Sequence, residues 1–81
     1  MLVSIHHSRY QALQRELVLL RKTAGLSQVQ LAERLGVGQS YISKIERGEA
    51  YVDVLVFADW CQACGVQAGH TLDQLFTADS Q

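Results

Sequence analysis

The chain has 81 residues, 48% of them hydrophobic, which makes one small domain near the lower limit at which a single apolar core holds without staples. It has two cysteines, too few for a disulfide framework, and no apolar run near the roughly 20 residues that span a bilayer; the opening "MLVSIHHSRY" lacks the pattern of a secretory leader, so a cytoplasmic protein is expected. The net charge of −1 conceals a segregation: residues 1–47 carry all seven basic side chains against three acidic ones, and residues 48–81 carry five acidic side chains and no basic one.

In chain order every segment reads as helix. Tyr10, Leu13, Leu17 and Leu20 recur at helical spacing and make one face apolar from about Ser8 to Ala24, with Ser8 placed to cap the start and Gly25 to end the helix. Ser27 precedes Gln30 by three, a capping-box pattern that opens a second helix with Leu31, Ala32 and Leu35 inward. Gly36 stops it. Gly38 serves as N-cap of a third helix to about Arg47, with Ile42 and Ile45 inward and Gly48 closing it. A fourth helix is expected over Val52 to Cys64, its buried stripe being Val52, Leu55, Val56, Trp60 and Cys64. Thr71-Leu-Asp-Gln74 repeats the capping-box pattern ahead of a short last helix carrying Leu72, Leu75 and Phe76. No strand alternation persists and no linker or repeat interrupts the chain.

The segment "SQVQLAERLGVGQSYISKIERGE", residues 27–49, is the most informative. Two helices that cross steeply through a short turn need a small residue at the crossing, which Ala32 supplies. They also need a turn residue tolerant of positive φ, which Gly36 supplies. Ile42 and Ile45 pin the later helix onto the earlier one. Gln39, Ser40, Ser43, Lys44 and Arg47 are left outside, and an outer face of amides, hydroxyls and cations suits a DNA groove.

With "LRKTAGLSQVQLAERLGVGQSYISKIERGE" in view, residues 17–49 resemble the phage-repressor/Cro-type helix-turn-helix of the XRE family of transcriptional regulators, continued more weakly by "ACGV" at 63–66 and "LDQLF" at 72–76. The resemblance implies an all-α, five-helix lambda-repressor-like DNA-binding domain over residues 1–81, with the helix-turn-helix unit at about 27–47. It implies a repressor whose third helix enters the major groove of a palindromic operator, bound as a homodimer to double-stranded DNA. Carried over by position, Gln28 contacts a phosphate and supports Gln39. Gln39 reads adenine, and Ser40 and Lys44 reach neighbouring bases, with Lys44 suited to guanine. Ser27, Tyr41, Arg47 and Lys22 hold phosphates, and Gly38 and Ser43 complete the DNA-facing surface. Arg21 is expected to pair with Glu46, partly exposed and contributing only about 0–1 kcal/mol.

The sequence departs from the family pattern in three places. The proline that often follows the "RGE" turn is replaced by "GEAYVDV", extra residues stand in "GVQAGHTLDQLF", and the first helix starts early. Val66, Leu72, Leu75 and Phe76 offer apolar surface not all of which has an obvious internal claim, and are assigned to the dimer interface, the alternative for Leu72, Leu75 and Phe76 being the core, with Leu72 and Leu75 folded back onto the first helix. The alternative function is an antitoxin-type module that silences a toxin partner and binds its own promoter. Residues 1–10 and 77–81 are the only spare segments for wrapping such a protein partner.

"CQAC", Cys61 to Cys64, reads as packing in mid-helix rather than as a redox or zinc site, because zinc wants four ligands and only His70 is near. His6, His7 and His70 show no ligand spacing and are expected to be exposed. No nucleophile–base pair or phosphate-cradling loop is present, so neither an enzyme nor a cofactor is expected.

Overall fold

The computed structural model describes residues 7–79, which form five helices: α1 (Ser8–Thr23), α2 (Gln28–Leu35), α3 (Gln39–Glu46), α4 (Val54–Ala63) and α5 (Ala68–Asp79). The all-α expectation holds. α2 packs on α3 and α4, α1 on α3 and α5, and α4 on α5. Leu17, Leu26, Leu31, Ala32, Ile42, Ile45, Phe57, Trp60 and Cys61 form the shared core. The Trp60 indole N–H, fully buried, donates to the Leu17 carbonyl at 3.0 Å, which satisfies its one polar atom and ties α4 to the middle of α1.

α2 begins as its sequence predicts. The Ser27 hydroxyl accepts from the Gln30 N–H at 3.0 Å, and the Gln30 carboxamide oxygen accepts from the Ser27 N–H at 2.9 Å, closing the capping box. It ends on Gly36 at φ 71°, with the Val37 N–H bonded back to the Ala32 carbonyl at 3.0 Å. That left-handed residue turns the chain sharply enough to bring α3 across α2.

The other ends differ in detail from expectation. His7, not Ser8, caps α1: its Nδ1 accepts from the Arg9 N–H at 3.1 Å while Ser8 takes the first helical position. α4 starts two residues later than read, because the Asp53 carboxylate accepts from the Val56 N–H at 2.8 Å and so makes Asp53 the cap. This changes which stripe is buried. Phe57, Trp60 and Cys61 face the core, Val52, Val56 and Cys64 flank it, and Leu55 is 74% exposed. In "VDVLVFADWCQAC" several apolar stripes fit a helix, and the one carrying the two large aromatic rings buries more apolar area.

α5 also starts earlier than read. Thr71 is not its cap but lies in its first turn, 3% exposed, its N–H and its hydroxyl both donating to the Gln67 carbonyl at 3.1 and 3.2 Å. A threonine that bonds back to the preceding turn fits a helix interior as well as a cap, so the capping pattern alone is ambiguous. In "GVQAGHTLDQLF" Ala68, Gly69 and His70 thus belong to the helix, and Gly65, Val66 and Gln67 form the connection.

Cys61 is buried and Cys64 half-buried, both free thiols, and burial pushes each above the ordinary thiol value. A thiol held protonated by an apolar setting is a poor nucleophile and metal ligand. His7 and His70 are exposed; His6 lies outside the described residues. Among the described residues no helix is long and apolar enough to cross a membrane.

Candidate nucleic-acid interface

The outer face of α3 and the start of α2 form one surface. Gly38 leads into α3 in an extended conformation, φ −79°, and Gln39, Ser40, Lys44 and Arg47 follow, all exposed. Ser43 is half-buried. Tyr41 is half-buried too, its ring packed against the core, so only part of its surface remains outward. Ile42 and Ile45, fully buried on the opposite side, fix the rotation of α3 and so decide which residues point out.

Behind this face lies a chain of hydrogen bonds that joins three helices. The Gln39 side-chain amide donates to the Gln28 carboxamide oxygen at 2.8 Å, and the Gln28 amide donates to Glu46 Oε1 at 2.9 Å. Arg21 from α1 meets Glu46 as a fork, Nε to Oε2 at 2.6 Å and Nη2 to Oε1 at 3.0 Å, and its Nη1 donates to the Leu26 carbonyl at 2.8 Å. The Arg21–Glu46 pairing expected from the sequence is therefore present, but the two side chains are only 11% and 6% exposed. Both residues are partly buried, with less side-chain surface left to solvent than a surface bridge keeps, and that geometry raises the cost of losing one partner. The hydrogen bond that Arg21 donates to Glu46 is the main reason its guanidinium is held above its usual range.

The structure brings Gln28 and Gln39 together, and Ser43 with Arg47, whose guanidinium donates to the Ser43 hydroxyl. Ser27 stands at the start of α2 with its oxygen used in the capping box. Lys22, at the far end of α1, is exposed, and among the described residues its side chain makes no hydrogen bond to this cluster. One participant was missed. Glu49 grips Arg47, Nε to Oε2 at 2.8 Å and Nη2 to Oε1 at 3.1 Å, which raises the guanidinium pKa and lowers that of the carboxyl. The signal was there: opposite charges two residues apart across a helix-ending glycine.

Of the residues assigned to a dimer interface, Val66 and Leu72 are partly buried and pack against the core, the alternative left open for Leu72. Leu75 is half-buried, and Phe76 is 56% exposed with the Arg9 guanidinium 5.4 Å from its ring centre. Tyr51, Val54 and Leu55 expose further apolar surface.

Two eight-residue helices crossed through a glycine-closed turn, with the second one's polar face outward, define a helix-turn-helix protein. Residues 12–75 match the model of a helix-turn-helix domain family. The solved structure of an XRE-family like protein from Pseudomonas syringae pv. tomato str. DC3000 is 42% identical over 91% of this chain and 90% of that one, with a TM-score of 0.86. The clp gene regulator ClgR from Corynebacterium glutamicum is 28% identical over 89% of this chain and 77% of its own, with a TM-score of 0.76. No curated protein matches the chain. The chain belongs to the XRE family of helix-turn-helix transcriptional regulators.

Proposed function

We propose that this DNA-binding regulator is a repressor that occupies a palindromic operator as a homodimer in the cytoplasm, laying α3 in the major groove of each half-site. The observation that carries the reading is the Gln28–Gln39 bond of 2.8 Å. It holds an exposed amide at the head of α3 beside Ser40 and Lys44, where base edges would lie. Gln39 retains a carbonyl oxygen and one N–H, the pair that matches adenine N6 and N7. Ser40 and Lys44 reach the adjoining bases, Lys44 favouring guanine O6 and N7. Ser27, Gln28, Tyr41, Ser43 and Arg47 face phosphates, and Gly38 lets the backbone come close. The aligned N–H groups at the starts of α2 and α3 add partial positive charge on the same side.

Selection from random duplexes with the purified protein tests this reading. An enriched, two-fold related motif is expected, with affinity falling steeply as salt rises because bound phosphates release counterions. Gln39→Ala and Lys44→Ala should each cost about 1–3 kcal/mol at the preferred site and relax one base position, while Arg47→Ala should weaken all sequences alike. No enriched motif at low salt would remove the function.

A further inference from the structure

We propose that Glu46, which reaches no base itself, fixes which hydrogen-bonding edge Gln39 presents to DNA, by imposing a direction on the chain Glu46–Gln28–Gln39. The proposal rests on Gln39 being a base reader. Glu46 is held on both oxygens by Arg21 and is only 6% exposed, so its carboxylate stays in place and offers acceptors alone. Gln28 must therefore face it with the amide group, as the 2.9 Å bond shows. The reverse setting would set a carbonyl oxygen against a carboxylate oxygen with no proton between them. With its nitrogen committed, Gln28 turns its oxygen to Gln39, and Gln39 answers with its own nitrogen at 2.8 Å.

Direction thus passes from an acid at the end of α3 to an amide at its start. Terminal amide torsions are otherwise close to two-fold, and either setting is open to an isolated glutamine. In the imposed direction Gln39 keeps Oε1 and one N–H for DNA, which fits adenine and opposes the guanine O6. The reversed direction would leave both N–H groups free, a pattern that suits the two acceptors of guanine. Glu46 and Gln28 are positioning residues in this scheme, and Arg21 anchors the first of them.

The test measures affinity of the full chain for the duplex recovered from random selection and for its adenine-to-guanine derivative at the position where Gln39→Ala loses preference. The wild type should prefer adenine about 5- to 150-fold, the range of one good bidentate contact. Glu46→Gln lets the carboxamide face Gln28 with either atom, so the preference should fall several-fold toward parity. Gln28→Met, which keeps the Arg21–Glu46 pair and cuts the chain, should do the same, and the double variant Arg21→Ala, Glu46→Leu, which removes the fixed acceptor without stranding a charge, decides the question if Glu46→Gln does not fold. Affinity for an unrelated duplex should stay close to wild type in Glu46→Gln, whereas Gln28→Met, which also gives up a phosphate contact, should weaken every duplex by a common factor beside its loss of adenine preference. An unchanged adenine preference in the folded variants overturns the proposal, as does an equal loss on every duplex, which would mark a structural role only. A wild type that enriches no motif overturns the DNA reading itself, before any variant is made.

Discussion

Among single side chains, Arg21 and Glu46 show how burial changes the value of an interaction. On the surface such a pair is worth about 0–1 kcal/mol, since water and salt screen it. Here the forked contact is met by the Leu26 carbonyl and the Gln28 amide, and among the described residues no second cation forms an ion pair with Glu46. Arg21→Ala should then cost about 3 kcal/mol, because it strands a nearly buried carboxylate. The double change Arg21→Ala, Glu46→Leu should cost less than Arg21→Ala alone. Urea unfolding of the three proteins checks this, and a single-variant loss below about 1 kcal/mol would mean that Glu46 finds water easily. The pairing itself was legible from the family resemblance. Its degree of burial was not, since it depends on the loop after α1 and the start of α2 bringing the Leu26 carbonyl and the Gln28 amide onto the pair.

Among helices and turns, the chain-order reading located all five helices of the described residues and missed the ends where more than one cap was available. Gly36 and Gly48 show how alike two turns look in sequence and how unlike they are in space. Both have positive φ, 71° and 76°. A Cβ at Gly36 would meet nothing within 4 Å, whereas one at Gly48 would lie 3.1 Å from the Gln14 carboxamide oxygen. Gln14 donates to the Glu46 carbonyl and so clamps α1 to the end of α3. Gly36→Ala should therefore cost about 1–2 kcal/mol, the conformational penalty alone. Gly48→Ala should cost more, since it also displaces that clamp. Thermal unfolding of the two variants gives the order, and equal losses would show that Gln14 swings aside freely. Nearby, the Tyr10 hydroxyl donates to the Ala50 carbonyl at 2.9 Å and accepts from the Val52 N–H at 3.0 Å, fixing the stretch that replaces the usual proline.

For the whole molecule, the half of the chain without lysine or arginine, residues 48–81, carries two exposed apolar areas. One is Leu75 and Phe76 on α5; the other is Tyr51, Val54 and Leu55 around the start of α4. A single recognition helix reads few base pairs, and a two-fold pair spaced about 34 Å apart reads enough. If α5 makes that pair, sedimentation at micromolar concentration should give a dimer that Phe76→Glu converts to monomer and Leu55→Glu does not. The opposite pattern would move the interface to α4, and a monomeric wild type would remove the homodimer.

The sequence by itself determined the helical class, the family and the members of the outward face of α3, because these follow from periodicity, from Ser27 and Gly36 at a fixed spacing, and from residues whose neighbours lie three or four positions away. Tertiary structure alone decided that Phe57 rather than Leu55 enters the core, that Thr71 is buried in the first turn of α5, and that Val66 and Leu72 pack against the core. It alone joined Arg21, Glu46, Gln28 and Gln39 into one directed chain. Local pattern tells which residues share a face of one helix; which atom of an amide points outward depends on a charge held by another helix, and only the packed fold brings the two within hydrogen-bond reach.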